Sequence, residues 1–273
     1  MGLIPETLST PGRDPKTAKI LLMGRPKVGK TTLAASEPGT LLIATEVGYE
    51  TIPGILPVYV DSWRKYLAVI SEAAQRPDVT RFCIDTFTKL SKLAEIQACK
   101  DLDVSSLADA AYGKGYSRMN DLIQEGMTRL FSFGRQVVFI AHTKETIIKR
   151  RGEEIPVITV DLPKSAQRFI QAEVDALLFY TLEMDPRTQE QKRILYFQGR
   201  EDLEIGGRYL PGSIIPDFIE IPKPERQAGW PLVELVLKAG FQPQSSSTAA
   251  PEKQTGARRI RRTASPVPAE KQE

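Results

Sequence analysis

A chain of 273 residues, 41% hydrophobic and 26% charged with a net charge of +3, has the proportions of one globular core of roughly 200 residues plus appendages, and is too weakly basic to demand a polyanionic partner. No apolar run approaches the ~18 residues of a membrane span, and residues 1–16 lack the charged-then-apolar order of a secretion signal, so the expectation is a soluble cytoplasmic protein with no membrane partner. Cys83, in an apolar run, and Cys99, after Ala98 in a predicted helix, lack CxxC or His-rich spacing, which argues against a disulfide framework or zinc site, and the single Asn120 precedes Asp121-Leu122 and is no glycosylation acceptor.

Pro5, Pro11, Gly12 and Pro15 interrupt residues 1–16, which read as a flexible leader. The core then spans 17–222. A short apolar strand at 20–23 precedes a glycine-containing loop, a helix at 30–36 is closed by Pro38-Gly39, and buried strands follow at 41–45 and 58–60. Next come a helix over 63–75 and a strand at 81–84 ending at Asp85. A long helix over 116–133 carries Met119, Leu122, Ile123, Met127, Leu130 and Phe131 on one stripe, with Gly134 as its stop, before the strand 137–141. After His142, residues 144–149 alternate loosely, Arg150-Arg151-Gly152 makes a turn and 155–160 is β-rich, which predicts a mobile hairpin or loop. Strands at 176–181 and 194–198 and a short helical segment at 223–242 complete the ordered part. Residues 243–273 are rich in Ser, Pro, Ala, Gln and charge and read as a disordered basic tail, whose cluster Arg258-Arg259-Ile260-Arg261-Arg262 suits DNA or an acidic partner without defining a site. Continuous apolar strands separated by helices predict an α/β fold, a mostly parallel sheet covered by helices on both faces.

The segment Gly24-Arg25-Pro26-Lys27-Val28-Gly29-Lys30-Thr31, followed by Thr32, fits the pattern G-x-x-x-x-G-K-[ST]. Such a loop wraps phosphates with backbone N–H groups, which glycine geometry permits, and here it lies between a strand and a helix. Lys30 is assigned to the β- and γ-phosphates of ATP and Thr31 to Mg²⁺. Asp85, at the end of the strand Phe82-Cys83-Ile84, is the candidate for the magnesium hydration shell, with a helix cap as the alternative. Glu46, ending the strand 41–45, is placed to orient or deprotonate the attacking water, the alternative being a solvated loop acid. His142 ends another strand at the same edge and is a candidate to touch the γ-phosphate or the water, against a purely structural role.

Gly24 to Thr31, Glu46, Asp85 and His142 in this order resemble the RecA-like branch of P-loop ATPases, in which a catalytic Glu follows the strand after the P-loop helix. The wording Leu22-Met23-Gly24 through Thr32-Leu33-Ala34, then Ala44-Thr45-Glu46-Val47-Gly48-Tyr49, Ile84-Asp85-Thr86 and Ile140-Ala141-His142, is similar to the phage-type ATP-binding proteins, compact RecA-core proteins associated with phage single-strand annealing and recombination. The resemblance covers about 17–222. It implies a RecA-like P-loop core that hydrolyses ATP with Mg²⁺, stimulated by single-stranded DNA, with a homo-oligomer and a recombination or single-strand-binding protein as candidate partners. It also implies that Lys144, Lys149, Arg150 and Arg151, in the segment after the sensor strand, contact DNA. Position beside the late strand makes Arg200 and Arg208 candidates for an arginine finger supplied to a neighbouring subunit. RecA itself has glutamine where His142 stands, and its N-terminal polymerisation helix and large C-terminal domain have no counterpart here. A slow nucleotide-switched loader and a small-molecule kinase, with Lys149-Arg150-Arg151-Gly152 imitating a lid, are the alternatives. A GTPase is argued down by Thr88 where a glycine is expected and by the lack of Asn-Lys-x-Asp.

Overall fold

The computed structural model describes residues 12–243 apart from 51, 53, 151, 223 and 224, with the backbone alone at 225–228. Most of the expected leader, the tail from 244 onward with its arginine cluster, and Arg151 lie outside the described residues. The chain runs through β1 (Lys19–Met23), α1 (Lys30–Ala34), β2 (Thr40–Ala44), β3 (Leu56–Tyr59), α2 (Trp63–Ala74), β4 (Arg81–Asp85), α3 (Phe87–Leu102), α4 (Lys114–Phe131) and β5 (Gln136–Ala141). It continues through β6 (Thr143–Arg150), β7 (Glu153–Val160), α5 (Lys164–Glu173), β8 (Ala176–Met184), β9 (Gln191–Tyr196), β10 (Gly206–Gly207), β11 (Phe218–Ile221) and α6 (Glu225–Phe241).

Among the described residues nine strands form one sheet in the order β11-β9-β8-β1-β5-β4-β2-β3, with β10 alongside β8. The run from β3 to β8 is parallel throughout, so the carboxyl ends of β1, β2, β4 and β5 meet at one edge. β9 and β10 run antiparallel to β8. This is the mostly parallel, RecA-like α/β arrangement, with β5 inserted between the strand of the phosphate loop and the strand of Asp85. The strands alternate their apolar side chains between two cores because both faces are covered. Leu21, Ile43, Phe82, Ile84 and Phe139 pack under α2 to α5, while Ile20, Leu22, Leu42, Cys83 and Ile140 pack under α1 and α6. Among the described residues no helix is long and apolar enough to cross a membrane.

A helix is expected only around Ala98-Cys99, whereas α3 starts at Phe87, and hydropathy alone passes over most of it. Its buried stripe, Phe87, Leu90, Ser91, Ala94, Gln97 and Ala98, has helical spacing, but small or polar residues fill four of its six positions. Gln97 is satisfied by Asp101 at 2.7 Å, and Arg118 of α4 donates to the same Asp101 at 2.7 Å, so α3 and α4 are joined by polar contacts as well as packing. α4 approaches α2 closely because residue 126 is glycine: a Cβ there would lie 2.6 Å from the Trp63 ring.

α6 is anchored to the amino-terminal ends of β4 and β5. Arg81, buried by desolvating surroundings that lower its pKa, donates to Glu234 at 2.6 Å and stacks over the Trp230 ring. Gln136 and the Trp230 indole donate to the same Glu234 oxygen. Removing one member of a buried charge pair leaves the other uncompensated. Glu234→Ala is therefore expected to lower the unfolding free energy by about 3 kcal/mol, read from urea denaturation, with the whole sheet melting in one transition.

Candidate functional site

The loop between β1 and α1 folds back on the end of its own strand. Gly24 admits no side chain, since a Cβ would land on the Tyr180 carbonyl oxygen of β8, and Gly29 takes φ 100° as it starts α1. Lys27 also adopts a left-handed φ of 64°. The result is a cleft of about 620 Å³ at the carboxyl edge of the sheet. Pro26, Lys27, Gly29, Lys30, Thr31, Thr32, Glu46, Asp85, Thr86 and His142 all line it, which brings together the predicted loop, base, metal and sensor residues.

Lys30 is only 5% exposed, and its ammonium donates to the carbonyls of Gly24 at 2.8 Å and Arg25 at 2.7 Å. An ammonium has three donors, so one remains for a ligand oxygen. Burial pulls its pKa down to about 8, against the pull of Asp85 and Glu46 in the other direction. Thr31 Oγ1 donates to Asp85 Oδ2 at 2.5 Å. Burial pushes the Asp85 pKa up, opposed by this hydroxyl; Glu46 adds to the rise while Lys30 and His142 counter it. A hydroxyl and a desolvated carboxylate side by side are a donor pair for a hard cation that keeps most of its water. Among the described residues no group of three or more His, Cys, Asp or Glu is set to hold a metal.

The helix-cap alternative for Asp85 is taken by its neighbour. Thr86 caps α3 through Lys89 N at 3.3 Å, leaving the Asp85 carboxylate to Thr31. Thr45 secures the junction, accepting from Thr86 N at 2.9 Å and donating to the Asp85 carbonyl at 3.1 Å. Glu46 projects beside it, with Oε1 accepting from Thr86 Oγ1 at 3.3 Å and pairing with Lys89 Nζ at 3.3 Å. His142 Nδ1 is buried and has no hydrogen-bond partner among the described residues. Burial and Lys30 together lower its pKa, so near neutrality it is an uncharged imidazole with a donor and an acceptor to offer. An orphaned polar atom at a phosphate-binding edge fits a ligand or an ordered water.

The segment after His142 is a formed hairpin, β6 pairing with β7 from Thr143 opposite Val160 to Arg150 opposite Glu153. Its root is docked, with Thr159 donating to Glu204 and Ile158 N to the Asp202 carbonyl. Two of its cations are already paired. Lys149 pairs with Glu154 at 3.4 Å, Lys144 reaches Asp161 at 3.6 Å and the Leu162 carbonyl at 3.0 Å, and Arg25 of the phosphate loop meets Glu145 at 3.2 Å.

Arg200 and Arg208 are not brought to the cleft. Arg208 sits by the first residues of β8, its N–H on the Asp175 carbonyl and its side chain paired with buried Asp175 at 3.8 Å. Arg200 pairs with Asp202 at 2.7 Å and covers the Tyr196 ring. A different arginine approaches the loop. Because β9 runs antiparallel to β8, Arg193 stands opposite Leu182, beyond the end of β1, and a Cβ on Gly29 would lie 3.8 Å from its Nε. Proximity to a late strand in sequence does not fix that direction. Lys89 also lacks a motif, although Thr86 followed by the spacing of residues 87–98 is a legible helix start.

A family profile described as an AAA domain matches residues 16–209. Among curated proteins none matches the chain. Among solved structures the chain is similar to a KaiC-like protein of the hyperthermophilic archaeon Pyrococcus horikoshii OT3, at 14% identity over 76% of this chain and 90% of that one, with a TM-score of 0.41.

The buried Lys30 yields two opposite pH trends. Its protonated form binds phosphate, and bound polyanion raises its pKa again, so nucleotide affinity is expected to hold below pH 8 and to fall about tenfold per unit above it. The unfolded chain, with the ordinary value of 10.5 against about 8 folded, binds more protons in that window, so the ligand-free fold should gain stability as pH rises through it. Lys30→Met should abolish binding and flatten its contribution to both trends, measured by nucleotide titration and thermal melts from pH 7 to about 10.

Proposed function

The chain belongs to the AAA-domain family, matched from residue 16 to 209, and we propose that this P-loop ATPase of RecA-like fold works with Mg²⁺, is stimulated by single-stranded DNA and acts in phage-type recombination or strand annealing. Support comes from a junction. β5 ends at Ala141, His142 lines the cleft, and Thr143 already belongs to the hairpin. One residue separates the phosphate edge from the strand that carries Lys144, Lys149 and Arg150, with Arg151 following.

When bound, Mg²⁺ neutralises charge on the β- and γ-phosphates. Thr31 would ligate the ion and Asp85 would hold its hydration shell, Lys30 would face the phosphate charge, and Glu46 would accept the proton of the attacking water. Neutral His142 hydrogen-bonds the γ-phosphate edge and so differs in its contacts before and after hydrolysis. Lysine and arginine at the hairpin would bind DNA phosphates without reading bases. A neighbouring copy of the chain and a recombination or single-strand-binding protein are the partners this role calls for.

A second reading is a nucleotide-switched protein that hydrolyses slowly and docks another factor. Residues 144–161 hold four cations and four carboxylates, and Ile147 on β6 is 65% exposed, which suits a protein surface better than a polyanion.

Turnover with and without single-stranded DNA separates the two. Stimulation by DNA is expected, with Lys149, Arg150 and Arg151 changed together to Ala abolishing it and lowering the salt slope of DNA binding while DNA-free nucleotide affinity stays put. A non-hydrolysable ATP analogue should shift DNA affinity by about 5- to 150-fold, and His142→Ala should remove that shift while both ligands still bind. Slow turnover indifferent to DNA would favour the switch.

A further inference from the structure

Lys89 lies on the first turn of α3, outside every motif the nucleotide site is recognised by. Its ammonium and the Thr86 hydroxyl both contact Glu46 through the same oxygen, Oε1, each at 3.3 Å. Oε2 receives neither contact. Glu46 itself follows the end of β2 and precedes Gly48 at φ 136° in a segment without regular structure, so its own backbone does little to aim it. Thr86, by contrast, is fixed twice, through its N–H on Thr45 and through its cap on α3. The ion pair is solvent-facing, with Lys89 58% and Glu46 34% exposed, and pairs of that kind contribute little to folding.

From this geometry we infer that Lys89 is a positioning residue for hydrolysis. It acts through Glu46: with Thr86 it pins one carboxylate oxygen to the start of α3 and leaves the other turned free to take a proton from the attacking water. The inference rests on Glu46 being the general base of the reading above. An unpinned base samples many orientations, and the loss then appears in the rate of the chemical step with nucleotide binding intact.

The test is a double-mutant cycle on the full chain, with kcat, KM and melting temperature measured for Lys89→Met, Lys89→Arg, Glu46→Gln and the combination Lys89→Met with Glu46→Gln. Lys89→Met is expected to lower kcat by about tenfold with KM within about twofold and the melting temperature unchanged. Lys89→Arg, which keeps a cation in reach of Oε1, should recover most of the rate. In the Glu46→Gln background Lys89→Met should cost nothing further, because the group it positions is already inert. If Lys89→Met slows both backgrounds by the same factor, or leaves kcat untouched while Glu46→Gln is slow, Lys89 does not act through Glu46 and the inference fails alone. If Glu46→Gln hydrolyses at the normal rate, the general-base assignment fails and the inference goes with it.

Discussion

Parallel strands carry all their carboxyl ends to one edge of a sheet, and that constraint is what assembles this site. Lys30, Glu46, Asp85 and His142 are far apart in the chain, yet each follows or ends a strand of the β2-β4-β5-β1 run, so the register of the sheet sets their spacing. Ala44 is level with Asp85, and Asp85 with Ile140, which puts Glu46, Thr86 and His142 within a residue or two of the same height. Helices on both faces are what allow this sheet to be parallel, since its strands are apolar on both sides and stable only when both are covered. The anchoring of α6 by Glu234 to Arg81 and Gln136, at the opposite edge, therefore supports the site without touching it.

At the site itself the chain holds charge under strain of burial. Lys30 and Asp85 are each shifted toward neutrality by desolvation, and each is opposed by the other's field. His142 keeps a buried ring nitrogen without a partner among the described residues. Polar groups held this way are costly. A ligand supplying phosphate oxygens to Lys30 and a cation to Asp85 would relieve both shifts at once, which links nucleotide binding to stability through named atoms.

Much of this was legible in the sequence because it depends on local rules. Apolar runs at 20–23, 41–45, 81–84 and 137–141 correspond to β1, β2, β4 and β5, and the glycine pattern between a strand and a helix locates the phosphate loop. What stayed hidden depends on partners remote in the chain. The cations at 144, 149 and 150 are visible in sequence, but Glu154 and Glu153 opposite the last two follow only from the hairpin register, and Asp161 meets Lys144 only because the chain turns back just beyond β7. Arg200 and Arg208 look as near the site as Arg193 does, until the reversal of β9 carries Arg193 toward the loop and leaves the others elsewhere. Lys89 matters only once the loop after β2 and the start of α3 are seen to meet.

The hairpin's attachments differ in strength, and that difference decides how nucleotide state can reach it. β7 is held by buried Val157, Thr159 and Val160, by Thr159 to Glu204, and by Ile158 to the 202–204 segment. Breaking those would expose apolar surface and an unsatisfied hydroxyl, a change on the scale of local unfolding. On the cleft side the links are exposed and weak: Arg25 to Glu145, Lys144 to Asp161, and Thr88 Oγ1 to the Asp161 carbonyl. Asp161 also donates its N–H to the His142 carbonyl, so His142, the start of α3 and the hairpin root share one residue. Exposed ion pairs of this kind exchange at small cost. If nucleotide state is felt at His142 or the first turn of α3, as the proposed function requires, the links through Asp161 would yield before the docking of β7, and β6, paired with β7 along its whole length, would follow β7 rather than move by itself.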